Sequence, residues 1–214
     1  MMSEENVSPV EGWIEAYRIH VLEEGEPPAS VYAFCSKIGI EESEFFKEFS
    51  SLEALESEIW AERIRFVRDT LNGDKDYADY SPHQKSLAFF YTFLEAIMGQ
   101  RSWYLARFPR EYPSRDPLFL QGFRRSFMEW ANEVAQENRD GAIAKRINAK
   151  TIVANLLYAH FRSIIKFALE DKSKGFERTD AYVEKSTRLF FELADANLAE
   201  SAVDLFRFLS GRQS

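Results

Sequence analysis

Ala29 to Leu55 reads ASVYAFCSKIGIEESEFFKEFSSLEAL, and the placing of its apolar residues decides the fold. Val31, Phe34, Cys35 and Ile38 recur at the spacing of one helical face. Gly39 accepts the positive φ that closes a helix, and Ile40, Phe45, Phe46 and Phe49 restart the apolar pattern beyond it. Two short helices about a tight turn, followed at once by the start of a third, form a helix-turn-helix.

Upstream, Ser8-Pro9-Val10-Glu11 is a capping box with proline at the first helical position, so a first helix is predicted from Pro9 to about Glu24, where Gly25-Glu26-Pro27-Pro28 stops it. Downstream, Ser50 with Glu53 is expected to cap a longer helix reaching about Leu71, with Trp60, Ile64 and Val67 on one stripe. NGDKDYADY breaks the pattern, and Ser81-Pro82-His83-Gln84 opens a helix through LAFFYTFLEAIM that is apolar on most sides. RSWYLARF forms a short helix and the proline-rich FPREYPSRDP a connector. Further helices are expected over 118–137, 142–169, 179–198 with Thr179 as cap, and 200–209. No strand pattern or repeat is present. The predicted class is all-α: a helix-turn-helix domain at residues 1–56 and a larger bundle at 57–214.

At these residues the chain resembles the TetR family of transcriptional regulators. Gly39, Ile40, Phe45, Phe46, Phe49, Ser51, Glu53 and Leu55 fall in register with that family's second and third helices, and Ile14, Ala16 and Tyr17 with its first. The match spans roughly 13–60. The resemblance implies a TetR-like fold with a ligand-binding and dimerisation domain after the reading module. It also implies that the positions held here by Glu41, Glu44, Phe46, Glu48 and Leu52 face the DNA backbone. The apolar half of the motif is kept, while the half that grips phosphate is replaced by acids and hydrocarbon. Only Lys47 remains there to meet an anion.

Charge makes the same point. Residues 1–56 hold Arg18, Lys37 and Lys47 against thirteen Glu, a net of −10 in a chain of −8 overall. DNA affinity rests largely on Lys and Arg releasing counterions from phosphate, so such a module is repelled before any base is read. Acids in a first helical turn also favour the helix dipole, and that reading of Glu41, Glu42 and Glu44 stands beside the first.

Nothing points to catalysis. His20, His83 and His160 are far apart, and no metal-ligand spacing, phosphate loop or nucleophile elbow occurs, so neither enzyme activity nor cofactor is expected. The single cysteine, Cys35, excludes an internal disulfide and suits a reducing compartment as a core residue. With an acidic, non-signal start and no run of about 18 uncharged apolar residues, the expected location is cytoplasmic.

The aromatic load is high, with nineteen Phe, nine Tyr and four Trp. Phe89, Phe93, Trp103, Phe123 and Phe127 lie on helices that wall the ligand cavity in TetR-like proteins, and rings there either line an apolar pocket or fill a closed core. Arg101, Arg107, Arg110, Arg124 and Arg125 nearby either form a solvated face or hold an anionic head group; Arg101, Arg124 and Arg125 are the candidates for a pocket mouth. The family's two penultimate helices pair across a symmetry axis, which implies a homodimer through Ile152, Leu156, Ile164, Phe167, Leu189 and Leu193, although Ile152, Leu156, Ile164 and Phe167 suit the chain's own core equally. Two functions follow. One is a homodimer that holds a small apolar or lipid ligand and has weak or lost operator binding. It is similar to the TetR-fold lipid-binding proteins of coenzyme Q biosynthesis, whose partners include membrane surfaces and a kinase-like protein. The other is a working ligand-responsive regulator that binds DNA through its helix-turn-helix, although the DNA-facing positions Glu41, Glu44, Phe46, Lys47 and Glu48 are degenerate.

Overall fold

The computed structural model describes residues 9–110, 116–137 and 149–195, and every regular element among them is helical. In order these are α1 (Pro9–Glu24), α2 (Val31–Ile38), α3 (Glu42–Glu48), α4 (Leu52–Asn72), α5 (Pro82–Met98), α6 (Arg101–Arg107), α7 (Gln121–Glu137), α8 (Ala149–Glu170) and α9 (Glu177–Asp195). The fold is all-α and TetR-like. The described residues fall into two compact units, one from residues up to 65 with 96–125, the other from 66–95 with those from 126 onward.

In the first unit the helix-turn-helix closes as its residues dictate. Ser30 caps α2 by accepting from the Ala33 amide (3.1 Å), and Gly39 at φ 76° ends it, with its N–H on Cys35 O at 2.8 Å. A β-carbon at that φ would be strained, so the turn depends on glycine. The core is aromatic: Phe45, fully buried, stacks on Trp13 (6.2 Å between centroids) and meets Phe34 edge-on (6.0 Å). Tyr17 of α1 adds an edge contact to Phe34 at 6.1 Å. Around the α4 segment of this unit, Trp60 is enclosed by Trp103, Tyr104, Phe108 and Phe123 at 5.1–6.1 Å.

The second unit is organised by Phe161 of α8, which is fully buried among Phe127 (4.7 Å), Phe93 (4.8 Å), Phe90 (5.2 Å) and Phe89 (5.6 Å). Phe89 stacks in turn on Trp130 at 4.0 Å. Helix α9 packs antiparallel on α8 after a short connection. The α8 stretch Thr151–Glu170 has the length and mean hydropathy (1.3) of a membrane span, yet Phe161, Ile164, Ile165 and Ala168 lie wholly within the unit's core.

Two predicted caps move. Helix α4 is capped by Ser51, whose Oγ accepts from the Ala54 amide at 3.1 Å, one residue beyond the expected Ser50. Helix α9 starts at Glu177, and Thr179 lies within its first turn, giving its amide (2.9 Å) and hydroxyl (2.7 Å) to Asp171, which accepts the Ser173 amide as well. The Ser81–Gln84 capping box forms as predicted, with reciprocal bonds of 3.3 and 2.9 Å. Ser8, the start proposed at residue 142 and the helix expected over 200–209 lie outside the described residues.

Candidate functional site

The outward side of the helix-turn-helix is the first candidate. Glu41, Glu44, Lys47 and Glu48 are all exposed, and Phe46 leaves 52% of its surface in solvent although its ring edge touches Phe45. Tyr32 on α2 is 68% exposed. These side chains point outward because their neighbours at helical spacing, Phe34, Cys35, Phe45 and Phe49, are consumed by the core. Of the module's three basic residues, Lys37 is turned back to α1, against Glu23 (3.6 Å), Glu24 (3.9 Å) and the His20 ring (3.3 Å), and Arg18 is buried. Lys47 is thus the exposed cation of α3, set among three acids.

Behind this module lies a buried ionic knot that periodicity did not single out. Glu56 of α4, with 1% of its surface exposed, accepts the Arg107 guanidinium as a fork, Nε to Oε1 and Nη2 to Oε2, both at 2.9 Å. The Tyr17 hydroxyl donates to Oε2 at 2.6 Å and the Trp60 indole N–H to Oε1 at 3.4 Å. Burial first, and then the carboxylate beside it, push the Tyr17 phenol far above its ordinary value, so it stays a donor. Three helices, α1, α4 and α6, are tied through one carboxylate. Arg107, a candidate head-group ligand in the sequence, is committed here and also lies over the Phe119 ring at 4.7 Å. The available signal was an acid at position 56 between the apolar Leu55 and Ile59, with Trp60 one turn on.

The predicted pocket rings fall into both units. Trp103 and Phe123 belong to the first, each against Trp60, while Phe89, Phe93 and Phe127 belong to the second, each against Phe161. All five are at most 1% exposed. Of the candidate mouth arginines, all in the first unit, Arg124 is exposed and paired with Asp116 at 3.5 Å, Arg125 is exposed, and Arg101 is half-buried.

The second unit also carries a polar cleft of about 210 Å³, walled by Trp130, Tyr77, Lys85 and Arg68. Its charges are matched: Lys85 meets Glu137 at 2.6 Å and Arg68 spans Glu129 (3.3 Å) and Glu133 (2.9 Å). Trp130 donates its indole N–H to the Tyr77 hydroxyl at 3.0 Å. Among the described residues no group of His, Cys, Asp or Glu is arranged to hold a metal.

On the residues named for the dimer seam, Ile164 is wholly within its own unit's core; Ile152, Leu156 and Phe167 are half-buried; Leu189 and Leu193 are 54% and 40% exposed. His160, between them, is stacked on Phe190 (5.5 Å), meets Phe90 edge-on (5.6 Å) and shares a 3.2 Å hydrogen bond with Thr187. Burial pulls its pKa down to about 4, so it is neutral at physiological pH.

Residues 85–209 match the family model described as "Tetracyclin repressor-like, C-terminal domain". A solved structure of a protein of unknown function from Rhodococcus sp. RHA1 superposes with a TM-score of 0.56 at 14% identity, over 92% of this chain and 100% of that one, a likeness of fold alone. No curated protein matches the chain.

Proposed function

We propose a function from one premise: the chain belongs to the tetracycline-repressor-like family, whose carboxy-terminal domain covers residues 85–209. The protein is a member whose amino-terminal module has weak or lost operator binding and whose carboxy-terminal domain, residues 57–214, serves dimerisation and an apolar or lipid ligand. The observation that carries the first half is the outer face of α3, where Glu41, Glu44 and Glu48 flank Lys47 in solvent. Three carboxylates within two turns oppose a phosphate backbone, and their repulsion grows as salt is lowered, the reverse of a DNA-binding helix.

For the ligand, the support is the ring cluster of the second unit. An interior lined by Phe89, Phe93 and Phe127 would admit hydrocarbon more readily than a polar metabolite, whose polar groups would be left unpaired there. Dimerisation is supported by the exposed leucines of α9. The alternative, a ligand-responsive regulator that binds an operator, is favoured by family membership. One experiment separates them. In gel shifts with DNA from the protein's own promoter region, no sequence-specific complex is expected at about 1 µM protein, where specific binders of this kind are saturated. A complex that sharpens at low salt and resists unrelated competitor DNA would establish the regulator instead.

A further inference from the structure

Between α1 of the acidic module and α6 lies a cluster of buried donors without acceptors. Arg18 of α1 is 9% exposed, and its Nε and Nη2, the edge of the guanidinium that forks onto carboxylate or phosphate, are buried with no hydrogen-bond partner. Its Nη1 alone reaches an acid, Glu15, which is 59% exposed and 3.9 Å away. The guanidinium lies over the Trp103 ring at 5.8 Å, and the Trp103 indole N–H, on a side chain 1% exposed, has no acceptor. The Tyr104 hydroxyl next along α6 is buried beside the Arg63 guanidinium, which can only donate to its oxygen, and feels the charges of Arg63 and then Arg18, so its own proton is left to give. The buried acid among the described residues of this unit, Glu56, is saturated by Arg107, Tyr17 and Trp60.

Buried donors are nearly always satisfied, and a buried cation whose counter-charge is one solvent-exposed carboxylate at 3.9 Å is weakly compensated for its desolvation. Guanidinium and indole offer donors only, so what completes this group must be an acceptor, and the surplus charge requires it to be negative. We propose that Arg18 and Trp103, between α1 and α6, form a binding site for one oxyanion group, a carboxylate or a phosphate, with Tyr104 as the third donor. The oxyanion lies against Nε and Nη2 of Arg18 and takes the indole N–H. The site is independent of the apolar-ligand reading, since that reading rests on Phe89, Phe93 and Phe127 of the second unit and this site on residues of the first.

Thermal melts of the full chain test this with inorganic phosphate against chloride at equal ionic strength. Binding to the folded state alone should raise the wild-type Tm by about 3 °C at about 10 mM phosphate. Arg18→Met keeps the apolar stem and removes the charge; it should show no phosphate shift and melt higher than wild type in chloride, because a buried cation held only by the exposed Glu15 is gone. Trp103→Phe keeps the ring and should weaken phosphate binding about tenfold; should Arg18→Met fail to fold, this variant alone decides. Vesicles of phosphatidylcholine with and without phosphatidic acid locate the source of the anion. Arg18-dependent sedimentation with the acidic vesicles assigns a lipid head group, and a phosphate shift without sedimentation assigns a soluble anion. No wild-type shift, or an equal shift in both variants, overturns the proposal.

Discussion

Glu56 concentrates more of the first unit's polar interaction than any neighbouring side chain, because two of its three partners, Tyr17 and Arg107, are far away in sequence. Removing one member of a buried ion pair leaves the other desolvated and uncompensated, which typically costs about 3–5 kcal/mol. Glu56→Gln is therefore expected to lose roughly 3 kcal/mol in urea unfolding. The double variant Glu56→Gln, Arg107→Met should recover part of that loss, since it abolishes the orphaned cation. If the double loses as much as the sum of the singles, the fork is not a coupled unit. His160 gives a pH counterpart in the second unit. Its folded pKa of about 4 lies below the ordinary 6.5, so between those values the unfolded chain binds a proton that the folded one refuses. Stability is then full above about pH 6.5 and falls as pH drops towards 4, by up to about 3 kcal/mol. His160→Gln should flatten the urea midpoint across that window, and a wild-type midpoint that does not change there would remove burial as the governing influence on this ring.

Helix ends were legible where a signal and its target lie within one turn. Ser30 with Ala33, Gly39 with Cys35 and Ser81 with Gln84 are such pairs, and they bound α2 at both ends and α5 at its start as the sequence places them. Helix α9 was misjudged because its anchor is not the local Thr179 but Asp171, eight residues earlier, which can meet Thr179 only after the chain has turned. The Glu56–Arg107 fork, 51 residues apart, and the division of the pocket rings between units were invisible for the same reason, since spacing within a helix says nothing about which helix it meets. The Asp171 anchor predicts acid behaviour. The Ser173 amide, outweighing the opposing effect of burial, and then the Thr179 hydroxyl and amide hold its carboxyl down to about 2. Its contribution is present above the ordinary 3.8 and is lost as pH falls through about 2. Asp171→Asn should lower the melting temperature at neutral pH and remove that part of the acid dependence. Helix α7 begins under a steric constraint instead. A β-carbon on Gly122 would lie 2.6 Å from Ser57 Oγ and 2.8 Å from the Ser57 carbonyl oxygen, while the Gly122 amide donates to that Oγ at 2.9 Å. Gly122→Ala is expected to cost about 2 kcal/mol by overpacking. Adding Ser57→Ala should restore little, because the carbonyl oxygen cannot rotate away.

At the scale of the molecule, the question is what covers α9. A helix of a folded domain turns its apolar stripe inward, and α9 does so with Val183, Thr187, Phe191 and Ala194, all buried. Leu189 and Leu193, one turn apart, stand on another side at 54% and 40% exposure, and Ile152, Leu156 and Phe167 of α8 are only half-covered. Isolated exposed leucines are ordinary, but a pair in register on one of two antiparallel helices suits an isologous contact, in which each copy buries the same face. Ile164 is a poor probe of that contact, because a charge placed at a position with no exposed surface would disrupt the chain's own core. Leu189→Glu avoids the difficulty: solvent reaches the site within one chain, so the fold should stay intact and the helical circular-dichroism signal unchanged. In a symmetric dimer the same substitution sets two carboxylates into one seam, and each desolvated charge without a partner costs several kcal/mol. Light scattering should therefore report a dimeric mass for the wild type and a monomeric mass for Leu189→Glu at micromolar concentration. A monomeric wild type, or a variant that stays dimeric, would place the association elsewhere and leave the exposed leucines as solvated surface.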